Sequence, residues 1–133
     1  MILRFIGTSR QELWRDEAFS VRAAEFSIER MLKVVMKDTA PPFHYILLKG
    51  WISIFGDSEL SVRFPSIIAG CISIMIFWKL VGKCLKDLPE ARLIALGLYV
   101  TNYHVLTYDQ MARVYSIVMV AAMGLLYCLV KII

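Results

Sequence analysis

The sequence has few of the residues that build common catalytic and metal-binding sites in soluble proteins. Its three cysteines, Cys71, Cys84 and Cys128, are scattered and lack metal-ligand spacing, which indicates inert thiols. Neither His44 nor His104 has a second ligand at helical spacing, and this disfavours a zinc site. The chain also lacks a glycine-rich phosphate loop, a Ser-His-Asp set and an internal repeat. The usual signatures of nucleotide-binding enzymes, serine hydrolases and repeat proteins are therefore missing.

Charge is also scarce. Only 20% of the 133 residues are charged, whereas 59% are hydrophobic, and the mean hydropathy is +0.64. A soluble domain is roughly 45–50% apolar, so this composition indicates a chain solvated by lipid. Together with the helical segments described below, it predicts an all-α integral membrane protein. The net charge of +4 is modest. It fits cytoplasmic loop lysines and arginines better than a nucleic-acid surface.

Residues 1–61 are predicted to form an extracytoplasmic first loop with two juxtamembrane helices, over 16–37 and 41–56. Asp16 is a suitable N-cap, and Glu17 falls in the first turn, where the helix dipole favours a carboxylate. The 16–37 segment is amphipathic and too charged to span a membrane. Pro41 and Pro42 end it and restart the chain in a new direction. The run that follows is shorter than the about 20 apolar residues that a span needs.

Residues 62–133 are predicted to form three transmembrane helices, over 62–82, 90–106 and 113–133. Arg63 and Lys79 lie near the ends of the first, where their side chains can snorkel to the interfaces. The basic 79–92 segment is expected in the cytoplasm, which places the first loop and residues 109–115 on the other side. Seven Lys or Arg within residues 1–40 oppose this topology, but six acidic residues accompany them. His44, Tyr45 and Tyr108 are interpreted as interface aromatics.

Four motifs together resemble the GT-C membrane glycosyltransferases, in the order and at a spacing typical of that fold. The most similar group is the dolichyl-phosphate-mannose–protein mannosyltransferase-like family, which includes the aminoarabinose lipid A transferases. Ala40 departs from the pattern, because many members carry a histidine just before the Pro-Pro pair. The motifs are Leu-Trp-Arg-Asp-Glu-Ala-Phe-Ser (13–20), Pro-Pro-Phe-His-Tyr-Ile-Leu-Leu (41–48), Phe-Gly-Asp-Ser-Glu-Leu-Ser-Val-Arg-Phe-Pro-Ser (55–66) and Tyr-Asp-Gln-Met-Ala-Arg-Val-Tyr (108–115).

This resemblance implies an N-terminal fragment of a larger GT-C domain. Family members have a transmembrane helix before the Asp-Glu loop, of which residues 2–6 would be the tail, and many further spans. We therefore expect the isolated 133-residue chain to be inactive.

The resemblance further implies an inverting glycosyltransferase of a prokaryotic cell membrane, with a polyprenyl-phosphate-linked sugar as donor and a protein or glycolipid as acceptor. Asp16 is then the expected general base, and Glu17 is expected to orient or help to bind the acceptor or a cation. Arg113 and Tyr115 are expected to bind the donor phosphate, with Arg63 as a second candidate. Pro41 and Pro42 would shape the loop. No metal ligand set is predicted, although two adjacent carboxylates could hold a divalent cation.

Two other functions remain open at this point. One is a small non-catalytic membrane protein that binds lipid or a partner through its interfacial helices. The other is a transporter fragment, which is disfavoured because the only charged residue within 62–78 is Arg63, at its edge.

Overall fold

The computed structural model describes residues 14–36 and 41–132, and every regular element in these two ranges is a helix. The predicted helix tail at 2–6 and the Ala40 position lie outside the described residues. The helices are α1 (Arg15–Glu25), α2 (Ile28–Val35), α3 (Pro42–Phe55), α4 (Glu59–Cys84), α5 (Pro89–Thr101), α6 (Tyr103–Asp109) and α7 (Tyr115–Ile132).

Helix α1 begins slightly earlier than the sequence indicates. Trp14, not Asp16, is the N-cap residue, and Asp16 lies within the first turn. The Trp14 backbone N–H donates to the Glu17 carboxylate at 3.0 Å. A glutamate three residues after the N-cap commonly satisfies the N-cap amide in this way. Glu17 therefore sets the helix start with its side chain.

The segment 16–37 does not form the one helix that its pattern predicts, because the chain is extended at Phe26 and Ser27, between α1 and α2. Lys49 of α3 compensates for the break: its ammonium group donates to the carbonyls of Ala24 at 2.8 Å and Phe26 at 2.7 Å. These carbonyls lie at the end of α1, where a helix leaves acceptors unpaired. The partner that makes the break tolerable is about two dozen residues away in sequence, so local periodicity does not reveal it.

Helices α1–α3 enclose two small apolar clusters that also include the segment before α7. One cluster contains Ala23, Met31, Val35, Tyr45 and Val114, and the other contains Val21, Ala24, Leu48, Val62 and Ala112. Tyr45 is fully buried, which corrects its interpretation as an interface aromatic. These clusters fix the segment around residue 113 against the juxtamembrane helices.

Within 14–36 and 41–132, two helices, α4 and α7, are long and apolar enough to cross a membrane, and they pack along each other. The second predicted span, 90–106, differs. It is divided at Asn102 into α5 and α6, and α5 has only 13 residues. The Asn102 side chain accepts hydrogen bonds from the backbone N–H groups of His104 at 3.0 Å and Val105 at 3.2 Å. An asparagine is a strong N-cap, and this cap starts a new helix inside the predicted span.

Helix α6 lies against α4 through a buried polar contact. The Asp109 carboxylate is packed against Gly70 so closely that a Cβ at that position would collide with it. Asp109 also accepts a hydrogen bond from the Ser116 hydroxyl at 2.9 Å. The glycine thus allows α6 to pack closely against α4, next to the segment that leads into α7.

Candidate active site

The Glu17 carboxylate is the centre of a buried polar network. Its side chain is 1% exposed and pairs with the 2% exposed side chain of Arg63. Arg63 Nε donates to Oε1 at 3.1 Å, and Arg63 Nη2 donates to Oε2 at 2.8 Å. The backbone N–H of Ala112 donates to Oε1 at 2.7 Å, in addition to the Trp14 amide already described. One carboxylate therefore ties α1, α4 and the segment before α7 together.

The protonation of Glu17 follows from these contacts. Burial by itself raises the pKa of the carboxyl group, but the hydrogen bonds from Arg63, Ala112 and Trp14 and the Arg63 charge outweigh it, so the pKa lies below its ordinary value. A carboxylate that accepts several hydrogen bonds is stabilised in its charged form. Glu17 is thus an anion whose two oxygens are both engaged.

Asp16 has the opposite environment. Its side chain is 68% exposed, and its Oδ2 lies 3.6 Å from Nη2 of Arg113, whose side chain is 9% exposed. The structure therefore brings together two residues that the sequence singled out separately, a candidate base and a candidate phosphate ligand. The Glu17 carboxylate faces Arg63, whereas the Asp16 carboxylate faces Arg113, so the two adjacent carboxylates pair with different guanidinium groups. No group of three or more potential metal ligands gathers within 14–36 and 41–132.

Residues 110–114, which carry Arg113, form the turn between α6 and α7. Ala112 is fully buried, and its carbonyl accepts a hydrogen bond from Nε2 of His44 at 3.3 Å. The Ser66 hydroxyl donates to the carbonyl of Arg113 at 3.3 Å. His44 is 3% exposed and so is not the interface aromatic that its position in the sequence indicates.

A cleft of about 180 Å³ opens beside the Glu17–Arg63 pair. The exposed rings of Trp14 and Tyr103 are among its lining residues. The other lining residues are Glu17, Arg63, Thr107, Gln110 and Met111. Two aromatic rings and four polar side chains thus border the cleft, together with Met111. Asp16 and Arg113 do not line the cleft.

The remaining predicted residues take different positions. Arg63 faces Glu17 in the interior, so its guanidinium holds a carboxylate instead of lying open to solvent. The Tyr115 ring is partly exposed and lies against Tyr108, with 4.8 Å between ring centroids. Pro42 is the first residue of α3, and Pro41 is its N-cap.

Sequence reasoning missed His44 and the backbone of Ala112. No local signal could have revealed the Ala112 contacts, because any sequence offers the same peptide group. His44 stands two residues after the Pro-Pro pair, and only its burial distinguishes it from a surface aromatic.

The fold and this geometry define an all-helical membrane protein with a polar site beside α4 and α7. Residues 39–133 match the family described as dolichyl-phosphate-mannose-protein mannosyltransferase, and the chain belongs to that family. It is therefore a mannosyltransferase-like membrane glycosyltransferase sequence of the GT-C type. The match includes Arg63 and Arg113 but begins after Asp16 and Glu17. No curated protein and no solved structure matches the chain significantly.

Proposed function

We propose that the residues around Asp16 and Arg113 belong to an inverting glycosyltransferase that uses a polyprenyl-phosphate-linked sugar. They form the part of it that activates the acceptor and binds the donor phosphate. The observation that carries this proposal is the exposed Asp16 carboxylate beside Arg113, on a turn that Glu17 holds in place. Family membership supports the reaction class.

Asp16 is the proposed general base. It takes the proton from an acceptor hydroxyl as that oxygen bonds to the anomeric carbon, and the bond between this carbon and the phosphate oxygen breaks. The polyprenyl phosphate leaves with the electron pair. Asp16 suits this role because it is exposed, whereas Glu17 is engaged by the backbone and Arg63. General-base assistance is worth roughly 10²–10⁴-fold in rate.

Arg113 is the proposed ligand of the donor phosphate, with Tyr115 next to it in the chain. A guanidinium matches phosphate oxygens and stabilises the charge that develops on the leaving group. The 3.6 Å between Asp16 and Arg113 leaves no room for a sugar. Donor binding must therefore break this contact. Water can solvate the exposed Asp16 once the contact breaks, and the phosphate replaces it as the anion beside the buried Arg113. The arriving phosphate can therefore take Arg113 and release Asp16 as the base.

Glu17 and Arg63 are proposed to position these two groups. Glu17 lies next to Asp16 in α1 and accepts from the amide next to Arg113, so it links the base and the phosphate ligand through two short stretches of backbone. Arg63 neutralises Glu17 in the interior. In this assignment Arg63 acts through Glu17 and not on the donor.

The proposed location is the extracytoplasmic face of a prokaryotic cell membrane. Arg63 and Lys83 are twenty residues apart in α4, which corresponds to about 30 Å of helix, the thickness of the hydrocarbon core. The site and the basic segment that follows α4 thus suit opposite interfaces, and basic loops favour the cytoplasm. The acceptor is a protein or a glycolipid.

Asp16→Asn tests the proposal in membranes that contain the natural gene product. We expect sugar transfer from the polyprenyl phosphate donor to fall roughly 10²–10⁴-fold, because an amide cannot take the proton. The thermal midpoint of unfolding should stay unchanged, since the side chain is exposed. Transfer is measured with a radiolabelled sugar.

Glu25→Gln is the matched control, an exposed carboxylate removed from the same helix, and it should retain transfer. Full activity of Asp16→Asn would contradict the assignment of the base. Absence of transfer with the unsubstituted protein would favour the alternative of a non-catalytic protein that binds lipid or a partner through α1–α3.

A further inference from the structure

Both polar groups of the Ala112 backbone are held by side chains from different helices. Its N–H donates to Glu17 of α1 at 2.7 Å, and its carbonyl accepts from His44 of α3 at 3.3 Å. Because a carbonyl can only accept, Nε2 of His44 must carry the proton. The peptide unit is thus clamped from two sides.

This clamp lies immediately before Arg113. Ala112 and Val114 are each buried in one of the two apolar clusters, and the carbonyl of Arg113 itself accepts from Ser66. The backbone of the turn is therefore anchored on both sides of the residue whose guanidinium reaches Asp16. A loss of one anchor would free that guanidinium without unfolding the helices.

We propose that His44 is a positioning residue that, opposite Glu17, fixes the 110–114 turn and thereby holds Arg113 beside Asp16. The inference rests on the proposed function only for the use made of Arg113; the clamp itself is independent of any reaction. His44 does not touch the reacting groups and acts through the Ala112 carbonyl.

The surroundings of His44 suit a neutral ring that serves this one contact. Its Nδ1 has no partner among the described residues, so a proton there would be buried without an acceptor. Burial lowers the pKa of His44, and the nearby Arg113 charge lowers it further, against the opposing effect of the Ala112 contact. The Glu17 carboxylate, on the other side of Ala112, is already neutralised by Arg63.

The experiment measures the reactivity of individual arginines toward phenylglyoxal by mass spectrometry, on the full chain in detergent micelles. In His44→Leu, which removes the donor, we expect the modification rate of Arg113 to rise roughly two- to tenfold, the equivalent of one hydrogen bond. In His44→Gln, whose amide N–H reaches a similar distance, the rate should return toward that of the unmodified sequence.

Two internal comparisons make the result specific. Arg63, which is more deeply buried, should react equally slowly in all variants. His104→Leu removes an exposed histidine that lies against Tyr103 and Tyr108 and should leave Arg113 unchanged.

Three outcomes would overturn the proposal: an unchanged Arg113 rate in His44→Leu, an equal rise at Arg63, or a rise in His44→Gln as large as that in His44→Leu. The second would show general loosening of the fold, and the third would show that the hydrogen bond is not what matters. No donor or acceptor is present in this experiment. Its result is therefore independent of whether Asp16→Asn abolishes transfer.

Discussion

At the scale of single residues, two adjacent carboxylates have opposite environments. Asp16 is exposed beside Arg113, whereas Glu17 is buried and paired with Arg63. A buried ion pair gives little net stability when its desolvation is counted, but the removal of one partner leaves an uncompensated charge. The two residues should therefore respond very differently to the same chemical change.

Glu17→Gln should lower the free energy of unfolding by about 3–5 kcal/mol, because the Arg63 charge then remains buried without a counterion. Denaturant unfolding in detergent at neutral pH measures the change. The pH dependence gives a second signature. Since the folded-state pKa lies below the ordinary value of 4.5, the unfolded chain binds more protons, and stability falls as the pH drops from that value through the folded-state pKa.

Asp16→Asn is the control for this prediction, because an exposed substitution usually changes stability by less than about 0.5 kcal/mol. Acid should also lower the free energy of unfolding of Glu17→Gln by less, because this variant lacks the Glu17 carboxyl group that takes up a proton. Equal stability of the two variants would show that the Glu17–Arg63 pair does not hold the fold.

At the scale of the helices, the packing of α6 against α4 depends on one missing side chain. Gly70 leaves the space that the Asp109 carboxylate occupies, and Asp109 in turn accepts from Ser116 at the start of α7. The contact joins three helices at a point close to the 110–114 turn. It is the kind of close approach for which glycine is retained inside a helix despite its low helix propensity.

Gly70→Ala should destabilise the fold by roughly 1–3 kcal/mol, the usual cost of overpacking, because the new methyl group displaces the Asp109 carboxylate. Thermal unfolding in detergent is the measurement. Gly97→Ala and Gly124→Ala are matched controls, since a Cβ at either position meets nothing within 4 Å. Each control should be neutral or stabilising by up to about 1 kcal/mol, and an equally neutral Gly70→Ala would contradict the packing described.

At the scale of the whole molecule, α4 and α7 expose large apolar side chains along their length, among them Met75 and Leu125. Large exposed apolar patches are rare on water-soluble monomers. Both helices also have the length and composition of membrane spans.

We expect the chain to stay with the membrane pellet after extraction at alkaline pH. Met75→Arg combined with Leu125→Arg should make it extractable, because a central arginine costs about 2.5–3.5 kcal/mol per helix on insertion. A lysine substitution at the exposed end of α7, Ile132→Lys, is the control and should leave the chain in the pellet. Extraction of the unmodified chain would contradict the membrane assignment.

The helical class and the two membrane-compatible helices followed from composition and periodicity, which report directly on burial in lipid or in a core. The family followed from the resemblance of the motifs. Two breaks within predicted helices did not follow. The break at Phe26–Ser27 needs Lys49 as a partner, and the break at Asn102 interrupts an apolar run through a local cap.

The candidate site was predictable only as a set of residue types. The motifs selected Asp16, Glu17, Arg63 and Arg113, and the structure places Asp16 beside Arg113 and Glu17 beside Arg63. It did not follow from the motifs that Arg63 would face Glu17, or that His44 would face the backbone before Arg113. The sequence separations are 46 residues for Glu17–Arg63 and 68 residues for His44–Ala112.

The sequence by itself determined that the chain is helical and that the segments of α4 and α7 can enter a membrane, since each property depends on residues close together in the chain. Only the tertiary structure decided which carboxylate is buried and which is available for chemistry. Asp16 and Glu17 are neighbours with the same charge, and no local pattern separates them. The difference arises because Arg63 and Ala112, distant in sequence, converge on Glu17 alone.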